Sequence, residues 1–251
     1  MKTILSYLLT PIYWIFFLLL FASFHPVLII AHKVFGDVAF QKVVNVMNWL
    51  AMKNLHIMGC TQTVTDNNQY DTNRPLIVVS NHQSMYDIPM FTWHFRQFGI
   101  RFVSKKSLAS GIPSVSYNLR NASHIIINRK NRNQAVKAIK KGGIEASKHN
   151  YAVVIFPEGT RSRDGFPKKF SQKGLRLLVE TMPNAVIVPV SINESWRLEK
   201  NGLFPIPFGV HASWTIHPLV EPAGREFEDL SAEIEATIKS GIVKKRRSDI
   251  D

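Results

Sequence analysis

From Thr3 to Ala31 the chain carries no Asp, Glu, Lys or Arg, and Pro11 to Ile30 is almost wholly apolar. A spanning helix needs roughly 20 apolar residues, so the run is long enough to cross a bilayer. Tyr7, Tyr13 and Trp14 are placed as interfacial aromatic anchors. A cleaved signal peptide would have a shorter apolar core and small residues at its cleavage site. Ala22-Ser23-Phe24 does not supply that site, and the run continues past it. His25-Pro26 predicts a kink, so the segment either crosses or bends back. Over residues 35–58 apolar positions such as Val43, Met47 and Leu50 alternate at helical spacing with Lys42, Asn45, Asn48 and Lys53. This second, amphipathic and moderately basic helix lies in the membrane interface, packs on the first segment, or faces the core of the globular domain.

Beyond a polar, turn-rich segment, Asp66 to Asn73, the pattern changes. Short apolar, β-branched runs predict strands at Leu76–Ser80, Ile100–Ser104, His124–Asn128, Ala152–Phe156, Ala185–Val190 and Val210–His217. Helical spacing recurs over 85–97, 132–148, 171–181 and 225–243. Alternation of this kind predicts an α/β fold, a mixed, mostly parallel sheet flanked by helices, preceded by the hydrophobic membrane helix and the amphipathic helix. The expected division is a membrane-anchoring helical segment over 1–60 and an α/β domain over 61–251. In such sheets ligands bind beyond the carboxyl ends of the strands.

Composition adds little to the fold and more to the partners. A formal charge of +13 favours anionic partners: lipid headgroups, nucleic acid or phosphorylated substrates. The basic cluster Lys244 to Arg247 either touches anionic lipid or is simply solvated. The single cysteine, Cys60, rules out an intramolecular disulfide and fits a reducing compartment. No His/Cys grouping has zinc-like spacing, and no metal is expected.

Two segments carry candidate chemistry, each directly after a predicted strand. The first is Asn81-His-Gln-Ser-Met-Tyr-Asp87. On a continuous helix His82 and Asp87 would be offset by about 140°, so they meet only if a turn intervenes, with Ser84 as the helix cap. The carboxylate then holds the imidazole in one tautomer, and its other nitrogen can take a proton from an alcohol. The second is Phe156-Pro-Glu-Gly-Thr-Arg-Ser162. Gly159 permits an unusual dihedral or a close approach of backbone. Arg161 can fork onto a phosphate. Glu158 either holds Arg161 or contacts an acceptor hydroxyl. The plain alternative is an ordinary turn with a surface ion pair, worth little.

Taken together, Asn-His-x4-Asp and, about seventy residues on, Phe-Pro-Glu-Gly-Thr-Arg-Ser resemble the glycerolipid acyltransferase family, over roughly 76–220. Lys105-Lys106-Ser107-Leu108 with Ile112-Pro113, Ile125 to Arg129, Ile187 to Val190, and Phe170 with Lys173-Gly174 are similar to further segments of that family. Two positions depart from it, Ser123 and Ser116, where glycines are usual. The resemblance implies direct acyl transfer, without an acyl-enzyme, from an acyl thioester to a lysophospholipid hydroxyl. The donor would be acyl-CoA or acyl carrier protein as co-substrate, with no resident cofactor. His82 would be the general base and Asp87 its orienting carboxylate. Lys105, Arg129, Glu158, Gly159, Thr160 and Arg161 would bind substrate. The expected acceptor is 1-acylglycerol-3-phosphate, with another lysophospholipid or a lyso-ornithine lipid as alternatives. The expected place is the cytoplasmic face of an inner membrane.

Competing classes are a non-catalytic lipid-binding protein of the same fold, a nucleic-acid binder suggested only by charge, and a serine hydrolase. No nucleic-acid motif is present, and no Gly-x-Ser-x-Gly elbow. His94, His149, His211 and His217 are expected on the surface or in packing, Trp196 and Trp214 in the core, and Lys137, Lys140 and Lys141 on a solvated helix face.

Overall fold

The computed structural model describes residues 1–243, so the basic cluster at 244–247 lies outside the described residues. Helix α1 (Lys2–Asn54) opens the chain. A straight helix of that length would extend about 80 Å. Instead, Asn54 Nδ2 donates to the carbonyl of Tyr13 at 3.2 Å, so the helix folds back on itself. The break is at Gly36, with φ 79° and ψ −174°, a conformation open to glycine and costly for other residues. The kink expected at His25-Pro26 is therefore displaced ten residues along, and both Pro11 and Pro26 are carried inside helix. Leu28 of the first arm packs with Phe40, Val44 and Met47 of the second.

One side of this hairpin is docked on the rest of the chain. Tyr13 is fully buried, with its hydroxyl donating to Tyr86 Oη at 2.9 Å, and so is not the interfacial anchor expected of it. Trp14 Nε1 donates to the Leu203 carbonyl, and Thr10 and Ser6 hydroxyls accept from the backbone N–H groups of Ile206 and Phe208. The other side exposes Ile4, Leu8, Ile15, Phe16, Leu18 and Leu19, and the bend exposes Val34, Phe35 and Val38. By length and composition α1 is sufficient to cross a membrane, and its exposed apolar side is compatible with a membrane location.

The sheet has seven strands: β1 (Thr61–Asp66), β2 (Leu76–Ser80), β3 (Arg101–Lys105), β4 (Ile125–Ile127), β5 (Ala152–Ile155), β6 (Val186–Asn193) and β7 (His211–Ile216). Their order is β1-β7-β6-β2-β5-β3-β4. Strands β2 to β6 run parallel, and β7, with β1 parallel to it, runs antiparallel to β6. The expected mixed, mostly parallel α/β fold is the one observed. The central strands are buried on both faces, as parallel strands require. Leu76, Val78 and Val154 join one core with α2 (Asp87–His94), while Ile77, Val79, Val153 and Ile155 join the other with α4 (Arg132–Lys148), α5 (Gln172–Thr181) and α6 (Phe227–Ser240). Helices α1 and α3 (Pro113–Asn121) pack together and α1 also packs on α2.

Two elements were not legible in the pattern. Strand β1, Thr-Gln-Thr-Val-Thr-Asp, is an edge strand with little burial, so the apolar signal is missing. Helix α3 has a polar composition and starts on Pro113, which fits a first helical turn. The helix expected over 85–97 is shorter, ending at His94 before a 3₁₀ turn at Arg96–Phe98.

The docking of α1 generates the first prediction. Replacing Ser6 and Thr10 together by Ala leaves two backbone N–H groups without acceptors, each costing about 1–3 kcal/mol when buried. The apparent melting temperature in detergent should fall by roughly 5–15 °C. An unchanged melting temperature would mean that the first arm is not held there.

Candidate active site

Because β2 to β6 are parallel, their carboxyl ends open on one edge of the sheet, and the candidate residues gather along it. Strand β2 delivers Asn81, which bonds reciprocally with the neighbouring strand: its Nδ2 donates to the Ile192 carbonyl, and its Oδ1 accepts from the Ile192 N–H. The chain then turns through 82–86 before α2 begins at Asp87. That turn removes the helical offset, and His82 Nδ1 donates to Asp87 Oδ2 at 2.9 Å.

Asp87 is fully buried, so its carboxylate needs hydrogen bonds on all sides. Oδ2 also accepts from the N–H groups of Gln83 (2.8 Å) and Ser84 (2.9 Å). Oδ1 accepts from Ser195 Oγ at 2.6 Å. Its position at the start of α2 adds the favourable end of the helix dipole. Ser84 does not cap α2 as expected. Tyr86 occupies the cap position, and Ser84 Oγ accepts from the Tyr86 N–H, shaping the turn before it.

The second segment holds the first. Phe156 stacks under the His82 ring, with centroids 4.1 Å apart. The Ser162 N–H donates to the His82 carbonyl at 2.8 Å. Glu158 Oε1 accepts from the His82 N–H, and Oε2 from the Lys168 N–H, both at 2.8 Å. Burial pushes the Glu158 carboxyl above its usual range, against the pull of those two N–H groups and the nearby His82 and Lys168. Gly159 sits at φ +70° with open space around its Cα, so its requirement is the dihedral and not a close approach. Thr160 Oγ1 accepts from Lys168 Nζ at 2.7 Å.

Arg161 pairs with Glu199, not with Glu158, at 2.6 Å through Nη1, which leaves Nε and Nη2 without a partner among the described residues. Glu199 Oε1 also accepts from the Met85 N–H. Lys105 closes β3 and Arg129 follows β4; both are exposed, without a side-chain partner among the described residues. At about 4.8 Å per strand, they stand about 10 and 14 Å along the sheet from β2. The structure thus brings His82, Asp87, Glu158, Gly159, Thr160 and Arg161 into one cluster and sets Lys105 and Arg129 at its side.

Four contributors escaped the sequence: Gln83, Lys168, Ser195 and Glu199. Gln83 lies inside the first segment, but its tie to the Gly165 and Ile192 carbonyls is long-range. Ser195 and Glu199 belong to a 3₁₀ turn after β6, far along the chain, with no local signature. His94, expected on the surface or in packing, pairs with Asp66, and His149 pairs with Glu145, four residues back.

Comparison with known proteins decides the family. A family model described as Acyltransferase matches residues 61–193, more than half of the chain. The chain belongs to the Acyltransferase family. Among the relatives of this acyltransferase, a 1-acyl-sn-glycerol-3-phosphate acyltransferase of Cocos nucifera is 28% identical over 140 residues, covering 55% of this chain and 45% of that one. A protein of the same name from Borreliella burgdorferi is 28% identical over 196 residues, covering 76% and 74%. The chain spans about half the length of the plant relatives it matches. A crystal structure of the 1-acyl-sn-glycerophosphate (LPA) acyltransferase of Thermotoga maritima superposes with a TM-score of 0.76 at 25% identity, covering 96% of each chain. The mixed sheet and its long apolar N-terminal helix are thus a known acyltransferase architecture.

The Glu158 contacts generate the second prediction. Glu158→Gln keeps the volume but offers one acceptor oxygen for two N–H groups, so one goes unpaired at about 1–3 kcal/mol. Turnover should fall by roughly tenfold or more, with a smaller change in KM. A variant with normal turnover would show that the His82 backbone is held without Glu158.

Proposed function

We propose that this acyltransferase moves a fatty acyl group from an acyl thioester to the free hydroxyl of a lysophospholipid, most simply 1-acylglycerol-3-phosphate, giving phosphatidic acid. The observation that carries the reading is the His82–Asp87 pair with Arg161 alongside, at the sheet edge of a domain docked on an apolar helical hairpin. The relatives from Cocos nucifera and Borreliella burgdorferi bear names that state this acceptor. The donor is acyl-CoA or acyl carrier protein. The hairpin would sit in the lipid, with residues 61–251 on the cytoplasmic side where such thioesters are found.

In this scheme Asp87 accepts a hydrogen bond from His82 Nδ1–H, which makes Nε2 the basic nitrogen. Nε2 has no protein partner among the described residues and is left for the acceptor hydroxyl. It takes the hydroxyl proton as the oxygen attacks the thioester carbonyl. The tetrahedral intermediate collapses, the C–S bond breaks, and the proton passes from His82 to the departing thiolate. The oxyanion needs donors. The N–H groups of Gln83 and Ser84 are already spent on Asp87, and those of Gly159 and Ser162 on carbonyls, so the donors in this scheme are the backbone N–H groups of Thr160 and Arg161, next to the left-handed Gly159. Arg161 grips the acceptor phosphate with the edges that Glu199 leaves free. Lys105 and Arg129 extend the positive side of the cleft.

Purified protein in detergent, supplied with acyl-CoA or acyl carrier protein and 1-acylglycerol-3-phosphate, tests the reading. Phosphatidic acid should form. His82→Ala and Asp87→Asn should each lose on the order of 10²–10⁴-fold in turnover with the fold intact. A folded His82→Ala protein with near-normal kcat would remove the general base from the scheme. Preference for another lysophospholipid in an acceptor profile would move the substrate and keep the chemistry.

The phosphate contacts give a graded expectation. Arg161→Ala should cost about 1.5–3 kcal/mol in kcat/KM for the acceptor, with partial rescue by Lys, which cannot reproduce a fork. Lys105→Ala and Arg129→Ala should cost progressively less, following their distance along the sheet. Donor KM should hardly move. A loss confined to the donor would reassign these residues to the thioester's own phosphate groups.

A further inference from the structure

We infer that Ser195 is a positioning residue for the His82–Asp87 pair, the third member of a chain in which Ser195 Oγ–H donates to Asp87 and Asp87 receives His82 Nδ1–H. The inference rests on the reading of His82 as base. It goes beyond that reading because Ser195 lies outside the segment that matches the family model and outside both sequence segments of the site.

The geometry is specific. Among the described residues the Ser195 bond, at 2.6 Å, is the shortest at the carboxylate and the one hydrogen bond on Oδ1; the other three fall on Oδ2. Both residues are fully buried, so no water stands ready to replace the hydroxyl. Without Ser195, Oδ1 would be an unsatisfied charged oxygen in the interior. The hydroxyl also blocks rotation of the carboxylate, which would otherwise exchange its oxygens and loosen the bond to His82.

The backbone before Ser195 is bent to deliver it. Glu194 adopts φ +66°, ψ −4°, a left-handed conformation uncommon for a non-glycine residue. The 3₁₀ turn Ser195–Glu199 then braces the 82–87 turn along its length. Ser195 holds Asp87, the Trp196 N–H approaches Gln83 Oε1 at 3.4 Å, and Glu199 holds the Met85 N–H and Arg161.

Removing the hydroxyl concentrates negative charge on Asp87 and raises the proton affinity of the pair. The other ionisable groups facing it are Glu158, through the His82 N–H; Lys168, on Glu158; Glu199 with Arg161, through Met85; and Tyr86, at the start of α2. None of them touches Oδ1, so Ser195→Ala leaves their contacts in place. The acid limb of the pH–kcat/KM profile should therefore move to higher pH, by about 0.5–1 unit, and kcat should fall roughly 5- to 30-fold with acceptor KM little changed.

The test pairs kinetics with a readout independent of substrate. In wild type and Ser195→Ala, the rate of His82 carbethoxylation by diethyl pyrocarbonate is followed against pH by mass spectrometry. The reagent attacks the neutral imidazole, so the midpoint should rise in the variant by the same shift. Ser195→Thr, which keeps the hydroxyl, should restore the wild-type midpoint; if the added methyl prevents folding, Ser195→Cys, a weaker donor, should fall between. A wild-type midpoint and profile in folded Ser195→Ala would overturn the role. So would a loss of kcat matched only by a fall in melting temperature. Loss of the parent reading looks different: wild type would fail to acylate, or His82→Ala would stay active, whatever the midpoint in Ser195→Ala.

Discussion

A carboxylate with no access to water governs the architecture of the site. Asp87 is fully buried, and the cost of burying an unpaired charge is large enough to dictate what surrounds it. Its four hydrogen bonds come from a side chain five residues back, from two peptide N–H groups of the intervening turn, and from a serine more than a hundred residues away. Satisfying Oδ2 with the N–H groups of Gln83 and Ser84 forces the chain out of helical geometry between His82 and Asp87. That same departure lets the imidazole reach the carboxylate. Burial, turn and the His82–Asp87 pair are one constraint seen from three sides.

Other features follow from holding that turn. Asn81 ties its start to β6, Glu158 and Ser162 grip the His82 peptide from both directions, and Glu199 takes the Met85 N–H. Two carboxylates, Glu158 and Glu199, are thereby committed to backbone donors. Sequence reasoning offered Glu158 as a partner for Arg161 or as a contact for the acceptor hydroxyl. The structure pairs Arg161 with Glu199 instead and sets Glu158 on two backbone N–H groups, and burial raises its carboxyl pKa against the pull of those groups. Arg161 consequently turns to Glu199 and keeps part of its fork free.

Much of the fold was legible because the central strands announce themselves. Leu76 to Val79 and Ala152 to Ile155 are continuous apolar runs, the pattern of strands covered on both faces. Each runs directly into one of the two motifs, so the carboxyl-edge location of the site could be anticipated. Strand β1 could not, since an edge strand of Thr and Gln makes its contribution through backbone pairing with β7. The position of the bend in α1 was misplaced for a related reason. Proline is a strong local signal, yet Pro26 is absorbed in helix, and the reversal falls at Gly36, where the bond from Asn54 back to Tyr13 shows that the second arm returns along the first. Contacts across such sequence distances leave no mark in a local window, and Ser195 and Glu199 escaped for the same reason.

The docking of α1 bears on how the site would meet the lipid substrate proposed for it. Tyr13 reaches from the hairpin to Tyr86, and Tyr86 is the residue immediately before Asp87. The buried side of the hairpin is thus one hydrogen bond and one peptide away from the 82–87 turn, while its opposite side exposes Ile4, Leu8, Ile15, Phe16, Leu18 and Leu19. A separate anchor joined by a flexible linker would leave the cleft free to tumble over the bilayer. Here the hydroxyls of Ser6 and Thr10 and the indole of Trp14 bond the first arm to the 203–208 loop, which fixes the apolar face against the rest of the fold. With the apolar side in lipid, the depth and tilt of His82 relative to the bilayer are set by folding itself. For a substrate whose acyl chain stays in the membrane while its headgroup lies at the surface, that fixed height replaces much of the positioning that a soluble enzyme must obtain from binding energy.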